Sequence, residues 1–202
     1  MSPSPDPVLA TPRWHWLPWQ PGRPAEQAVR EWLAPQLDLE PGLIGLSRDV
    51  HGRPRLAAEH GLDVGWSHSG DGLLLAAGRG IQVGIDLERE RERPRARAME
   101  LARRFFAPGE AQWLESQADE AARAAAFVRL WCAKEAVLKS HGRGIAFGLH
   151  RLAFAERNGV LVLEHADPAL GEASQWHLEE FVPEQGYRAA LAWKPLLQCR
   201  HG

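Results

Sequence analysis

In Val83-Gly84-Ile85-Asp86-Leu87-Glu88 the side chains alternate between apolar and acidic. That period predicts a strand with Asp86 and Glu88 on one face and Ile85 and Leu87 on the other. Two carboxylates side by side repel each other, and burying one without a partner is costly. A divalent cation removes the conflict, and hard oxygen donors on one strand face suit Mg²⁺. Farther along, Trp131-Cys132-Ala133-Lys134-Glu135-Ala136-Val137-Leu138-Lys139 reads as a helix. Glu135 and Lys139, four apart, share one of its faces. Three acids for a metal and a lysine for a phosphate make a phosphoryl-transfer set. Each part alone has a plain explanation, since a Glu–Lys pair on a helix is usually a surface pair worth a few tenths of a kcal/mol. All the plain explanations must hold together for the set to be accidental.

Two further stretches could handle an anion. Trp66-Ser67-His68-Ser69 runs into Gly70-Asp71-Gly72, a short strand entering a turn rich in glycine and small hydroxyls. Such a turn can aim backbone N–H groups, two hydroxyls and an imidazole at an anion. Standing alone it reads more simply as an ordinary hairpin turn with a capped histidine. Gly52-Arg53-Pro54 is a turn that carries a cation.

The elements that must position these residues follow from pattern. An edge strand is expected over Arg13–Leu17, a helix over Ala25–Leu37, and a short strand over Leu43–Leu46. Leu73–Ala77 and Ile81–Leu87 are expected to pair as a hairpin across Gly78-Arg79-Gly80. The run Glu88 to Arg95 alternates in charge and ends in proline and arginine, which reads as a solvated linker and sets the lobe boundary. Helices are expected over Ala96–Phe106 and from Pro108 through Leu114. Asp119 should cap a long helix reaching about Ser140, with Phe127, Leu130, Val137 and Leu138 inward and Gly142-Arg143-Gly144 as its stop. Strands should follow at Leu149–Ala155, Val160–Glu164, Trp176–Val182 and Tyr187–Trp193, with an Asn158-Gly159 turn between the first two. The class is α+β with antiparallel strands.

The 202 residues, 45% of them hydrophobic, suffice for one large domain or two small lobes. A net charge of -2 argues against a nucleic-acid surface, which needs a concentrated basic face. No apolar run approaches a membrane span, and Met1 to Pro7 has neither the basic nor the apolar region of a signal peptide. Cys132 and Cys199 are far apart, as expected of two reduced cysteines in a cytoplasmic protein.

Taken in order, Gly52-Arg53-Pro54, Trp66 to Ser69, Val83 to Glu88, Arg104-Phe105-Phe106-Ala107-Pro108-Gly109-Glu110 and Trp131 to Lys139 resemble the 4′-phosphopantetheinyl transferases of the longer, two-lobed Sfp-like type. The likeness covers residues from about Glu26 to Gly144 and is weaker in the tail. It implies transfer of the phosphopantetheine arm of coenzyme A to a serine of an apo acyl or peptidyl carrier protein, with release of 3′,5′-ADP. Carried over by motif, Asp86, Glu88 and Glu135 resemble the Mg²⁺ ligands, and Lys134 and Lys139 the phosphate-binding lysines. Arg53 with Pro54, Ser67 and His68 resemble contacts to the nucleotide and its 3′-phosphate. The resemblance further implies two similar lobes related by a pseudo-twofold, 1–93 and 94–202, with the active site in the cleft between them. A chain built this way is expected to work as a monomer. One departure stands out: where the longer members carry basic residues and a His-Arg pair near the first helix, only Arg13, Arg23 and Arg30 are available.

The serine proton has two possible acceptors. Glu110 could reach the cleft from the start of its helix, although a helix N-terminus stabilises the anion and weakens it as a base. Glu135 could act directly or through a water beside the metal, and its spacing from Lys139 favours that route. Two other classes remain to be weighed. A metal-dependent nuclease also combines acids with a lysine but wants a basic face; an inactive carrier-docking module would have no need of the acidic trio.

Overall fold

The computed structural model describes residues 11–20, 22–90 and 97–196. Among these the chain is mixed α and β, and every strand ladder is antiparallel. The first part comprises β1 (Arg13–Pro18), α1 (Ala25–Leu37), the short hairpin β2 (Leu46–Arg48) and β3 (Pro54–Leu56), β4 (Leu62–Ser69) and β5 (Gly72–Arg79). Then come β6 (Ile81–Arg89), α2 (Ala98–Phe105), α3 (Pro108–Glu115), α4 (Glu120–His141), the hairpin β7 (Leu152–Arg157) and β8 (Val160–Ala166), β9 (His177–Phe181) and β10 (Tyr187–Pro195). Apart from the inserted α2 and α3, one order of elements occurs twice: strand, helix, hairpin, two strands. The sheets match as well, β1-β5-β4 and β6-β10-β9, and the seam between the two series is Gly80.

The layers follow from the apolar faces. Leu73, Leu75 and Ala77 of β5 pack with Val29 and Leu33 of α1. Leu74 and Ala76, on the other face of β5, meet Ile85 and Leu87 of β6 and Ala189 and Leu191 of β10. Ala190 and Ala192 of β10 face Ala133 and Ala136 of α4, whose far side, through Phe127, meets Phe106 and the β7–β8 hairpin. β5 is therefore buried on both faces, as an apolar run without alternation implies. Helix α4 is sandwiched too, with every residue from Cys132 to Leu138 buried. Its N-cap Asp119 accepts from the Ala122 N–H at 2.8 Å, and Gly142, at φ 93°, ends it in the left-handed region.

Two expectations fail. β5 and β6 do not pair: β1 and β4 fill both edges of β5, so no backbone groups remain for β6, which pairs with β10 instead. The link through Gly80, at φ 69°, turns the chain from one sheet into the other. The strand expected over Leu43–Leu46 is a 3₁₀ turn at Pro41–Leu43, and extended structure begins only at Leu46. Proline at the first turn position favours the turn. Of the expected charged linker, Glu88 and Arg89 belong to β6, where they pair with β10, and 91–95 lie outside the described residues. No helix among the described residues is long and apolar enough to cross a membrane.

Candidate active site

The strongest sequence signals meet where β4, β6 and α4 converge. β4 and β6 run alongside each other in the same sense, and side chains join them. The Asp63 carboxylate accepts from the Val83 N–H at 2.7 Å, and Ser69 Oγ accepts from the Arg89 N–H at 3.0 Å. Helix α4 crosses β6 at Gly84, where a Cβ would lie 2.0 Å from the Ala136 carbonyl oxygen and 2.5 Å from the Ser140 nitrogen. Any other residue would push the helix away, so the glycine of the Val83–Glu88 motif fixes how closely α4 approaches. Gln82 Nε2 donates to the Ser140 carbonyl at 2.7 Å and anchors the same crossing.

This approach brings Glu135 and Lys139 against Asp86. Lys139 Nζ donates to Asp86 Oδ1 at 2.6 Å and to Ser67 Oγ at 2.7 Å, and Ser67 Oγ donates to Asp86 Oδ1 at 3.0 Å. Asp86, Glu135 and Ser67 are all buried. Burial works against the Lys139 ammonium, but Asp86 and Glu135 hold its pKa above the ordinary lysine value. Burial pushes the Glu135 carboxyl up to about 7, aided by repulsion from Asp86 and Glu88 and opposed by Lys139. Asp86 Oδ2 and Glu135 Oε1 are buried and have no hydrogen-bond partner. Among the described residues no three acids are gathered closely enough to hold a metal, but these two orphaned hard oxygens cost free energy while unpartnered and are the donor type that suits Mg²⁺. Cys132, one turn before Glu135, lies beside this group; burial, reinforced by Asp86 and Glu88, raises its thiol pKa well above normal.

Other expected residues lie elsewhere. Lys134 is fully buried on a different side of α4. Its Nζ sits 2.8 Å from Glu110 Oε2 and donates to the carbonyls of Leu149 at 2.9 Å and Leu152 at 2.6 Å. Glu110 Oε1 accepts from the Phe154 N–H and Oε2 from the Ala107 N–H, each at 2.8 Å. The two residues that motif likeness assigned to phosphate binding and proton transfer are thus paired with each other inside the protein. Arg53 is buried as well; its guanidinium forms a two-pronged pair with Asp63 and donates to the Val83 carbonyl at 3.2 Å. His68 is exposed on the face of β4 opposite Ser67, as alternation requires. Of the N-terminal cations, Arg30 donates to the Ile44 carbonyl and Arg23 lies over the Trp19 ring.

A cleft of about 190 Å³ opens beside Lys139, lined by Arg53, Pro54, Trp66, Gly84, Gly142 and Gly144 among others. Arg48 and His51, from the β2–β3 hairpin, also line it. Neither was picked out from the sequence, because nothing in a lone Arg or His marks it as facing a cleft. Asp63 was missed for the same reason. Arg143, between two glycines, was read only as the end of the helix.

Comparison with known proteins gives a concordant result. Residues 82–192 match the family model described as the 4′-phosphopantetheinyl transferase superfamily. The chain is 38% identical over 176 residues to the 4′-phosphopantetheinyl transferase HetI of Nostoc, covering 83% of this chain and 70% of that protein. It is 34% identical over 174 residues to a putative 4′-phosphopantetheinyl transferase of Synechocystis, covering 82% and 68% respectively. The human L-aminoadipate-semialdehyde dehydrogenase-phosphopantetheinyl transferase is 32% identical over 187 residues, 86% of this chain and 60% of that one. With its acidic strand, its Lys-Glu helix and the close crossing between them, the chain belongs to the 4′-phosphopantetheinyl transferase superfamily and is a transferase enzyme of that kind.

Proposed function

We propose that this enzyme transfers the 4′-phosphopantetheine arm of coenzyme A to a serine hydroxyl of an apo acyl or peptidyl carrier protein, releasing 3′,5′-ADP. The observation that carries the reading is the convergence of Asp86, Glu135, Lys139 and Ser67 beside an open cleft. Asp86, Glu88 and Glu135 would hold Mg²⁺, which when bound supplies positive charge to the pyrophosphate oxygens. In the reaction the serine Oγ bonds to the β-phosphorus and the bridging P–O bond to the α-phosphate breaks. The nucleotide leaves with the electron pair, and the serine proton must be taken up.

The chain's own residues divide the remaining work. Lys139 turns from Asp86 and Ser67 to the phosphate oxygens and adds a charge where negative charge accumulates. Glu135, with a free Oε1, is better suited to accept the serine proton than Glu110, whose two oxygens are engaged. Pro54 and the Gly142–Gly144 loop wall the nucleotide, and Arg53 holds that wall rigid through Asp63. We also read the repeated order of elements as two similar lobes related by a pseudo-twofold. The seam at Gly80 moves β6 into the second lobe, where a division at residue 93 would leave it in the first.

The direct test incubates the enzyme with coenzyme A, Mg²⁺ and an apo carrier protein and weighs the carrier. Wild type is expected to add one phosphopantetheine per carrier. Asp86→Ala should be slower by about 10² or more, because Lys139 loses its anchor and the metal a ligand. A carrier left unmodified by wild type, or an Asp86→Ala enzyme within twofold of it, refutes the reading. Lys139→Ala is expected to lower kcat by about 10² while changing KM for coenzyme A severalfold at most. A pure KM effect would make Lys139 a ground-state anchor for phosphate.

A further inference from the structure

β4 and β6 are end strands of different sheets, and among the described residues no backbone ladder joins them. One face of β4 joins them instead. Residues 63, 65, 67 and 69 share that face by alternation. Asp63 accepts from the Val83 N–H at 2.7 Å, and Gly65 lies against Val83 and Gly84. Ser67 donates to Asp86 Oδ1 at 3.0 Å, and Ser69 accepts from the Arg89 N–H at 3.0 Å. From first link to last both strands advance by six residues, so one register is kept throughout. Arg53 completes the first link. It grips Asp63 through both terminal nitrogens and donates to the Val83 carbonyl at 3.2 Å, so side chains take both backbone groups of Val83. The middle link lies inside the acidic group. Ser67 Oγ and Lys139 Nζ both hold Asp86 Oδ1, and Oδ2 is left without a hydrogen bond. Ser67 reaches Oδ1 only in this register. A slip of one residue is about 3.3 Å along the strand and turns the side chains of the other face towards β6.

We propose that Asp63 and Ser69 are positioning residues for the reaction: as the outer links they set β4 on β6 and so hold Ser67 on Asp86. This rests on the coenzyme A reading above, in which Asp86 is a metal ligand and Lys139 serves the phosphates. Among the described residues neither Asp63 nor Ser69 hydrogen-bonds to Asp86, Glu135 or Lys139. They lie about 13 and 7 Å along β4 from Ser67 and act through it. A hydrogen bond that orients a ligating carboxylate governs metal affinity and activity nearly as the ligand itself does. With Ser67 held on Oδ1, Asp86 is fixed with its free oxygen available to a cation. When an outer link is lost, β4 moves on β6, Ser67 leaves Oδ1, and the carboxylate is free to turn.

The test is a double-mutant cycle. It reads kcat and KM for coenzyme A with an apo carrier protein, and Mg²⁺ affinity by titration calorimetry. Ser69→Ala is expected to lower kcat about tenfold, the scale of one or two hydrogen bonds, with KM for coenzyme A within about twofold and Mg²⁺ bound severalfold more weakly. Ser69→Thr keeps the hydroxyl and should recover most of both. In a Ser67→Ala background the same Ser69→Ala change should cost almost nothing, because the group it positions is gone. A hydroxyl that only added stability would cost as much in either background. Asp63→Asn strips the buried Arg53 guanidinium of its counter-ion and so strains folding as well; Ser69, partly exposed, carries the decision. At a temperature where Asp63→Asn is folded, its cost should show the same dependence on Ser67. Equal costs with and without Ser67, or a Ser69→Ala enzyme within twofold of wild type in kcat and Mg²⁺ affinity, overturn the inference and leave the coenzyme A reading standing. A wild type that binds no Mg²⁺ and modifies no carrier rejects that reading and the inference with it.

Discussion

In metal-free buffer at pH 8, Glu135→Gln is expected to melt above wild type although it transfers phosphopantetheine about 10³-fold more slowly. The gain in stability comes from the buried carboxylate. Burial first, then Asp86 and Glu88, raises the Glu135 pKa from 4.5 to about 7 in the folded state, against the pull of Lys139. The folded protein therefore holds this proton more tightly than the unfolded chain does. Its contribution to stability is complete below the unfolded pKa, declines as pH rises, and is gone once pH passes about 7. A difference of that size corresponds to about 3 kcal/mol, or up to about 10 °C in Tm for a chain of this length. Glutamine keeps the shape and never ionises, so the variant should lead at pH 8 and lose most of its lead by pH 5. Mg²⁺ should stabilise wild type at pH 8 and narrow the difference, because the ion takes up the charge that burial penalises. Thermal melts at both pH values, with and without Mg²⁺, measure all of this. A variant less stable than wild type at pH 8, or a difference that ignores pH, would remove Glu135 from the buried acidic group.

The expectation is that concrete because the acidic group was legible in the sequence. The alternation around Asp86 predicted a strand, and the four-residue spacing of Glu135 and Lys139 predicted a shared helix face; both are local patterns and both hold. Asp119 and Gly142 likewise marked the ends of α4 through cap chemistry that needs only neighbouring residues. What failed is non-local. Nothing local to β5 says that β1 and β4 fill both its edges, so the short link to β6 looked like a hairpin. Its unbroken apolar run was the available clue, since a strand with one solvent face would alternate. Lys134 and Glu135 adjoin in sequence, but one residue along a helix is a turn of about 100°. That turn sends Glu135 towards β6 and Lys134 towards α3 and β7. The motif set the two residues together, and only packing could separate their surroundings.

That separation leads to a large effect away from the acidic group. Lys134→Met and Glu110→Gln are each expected to destabilise the protein by about 3–5 kcal/mol, the usual cost of breaking a buried ion pair from one side. Removing the ammonium leaves the Glu110 carboxylate without its counter-ion and the carbonyls of Leu149 and Leu152 without a donor. Glutamine at 110 leaves a buried ammonium facing a neutral amide. Burial already lowers the Lys134 pKa, and the Glu110 charge is what resists it. The pair also ties three segments together, since Glu110 accepts from the backbone at Ala107 and Phe154 while Lys134 reaches the start of β7 from α4. Its loss should therefore loosen the packing of α3 and β7 on α4. Urea unfolding gives the stability, and turnover at a temperature where each variant is folded gives kcat and KM. The structural role requires a large fall in stability with KM for coenzyme A and the pH–rate profile close to those of wild type. A variant that unfolds like wild type, yet binds coenzyme A at least about tenfold more weakly or loses the basic limb of its profile, would return Lys134 to the phosphate or Glu110 to the proton.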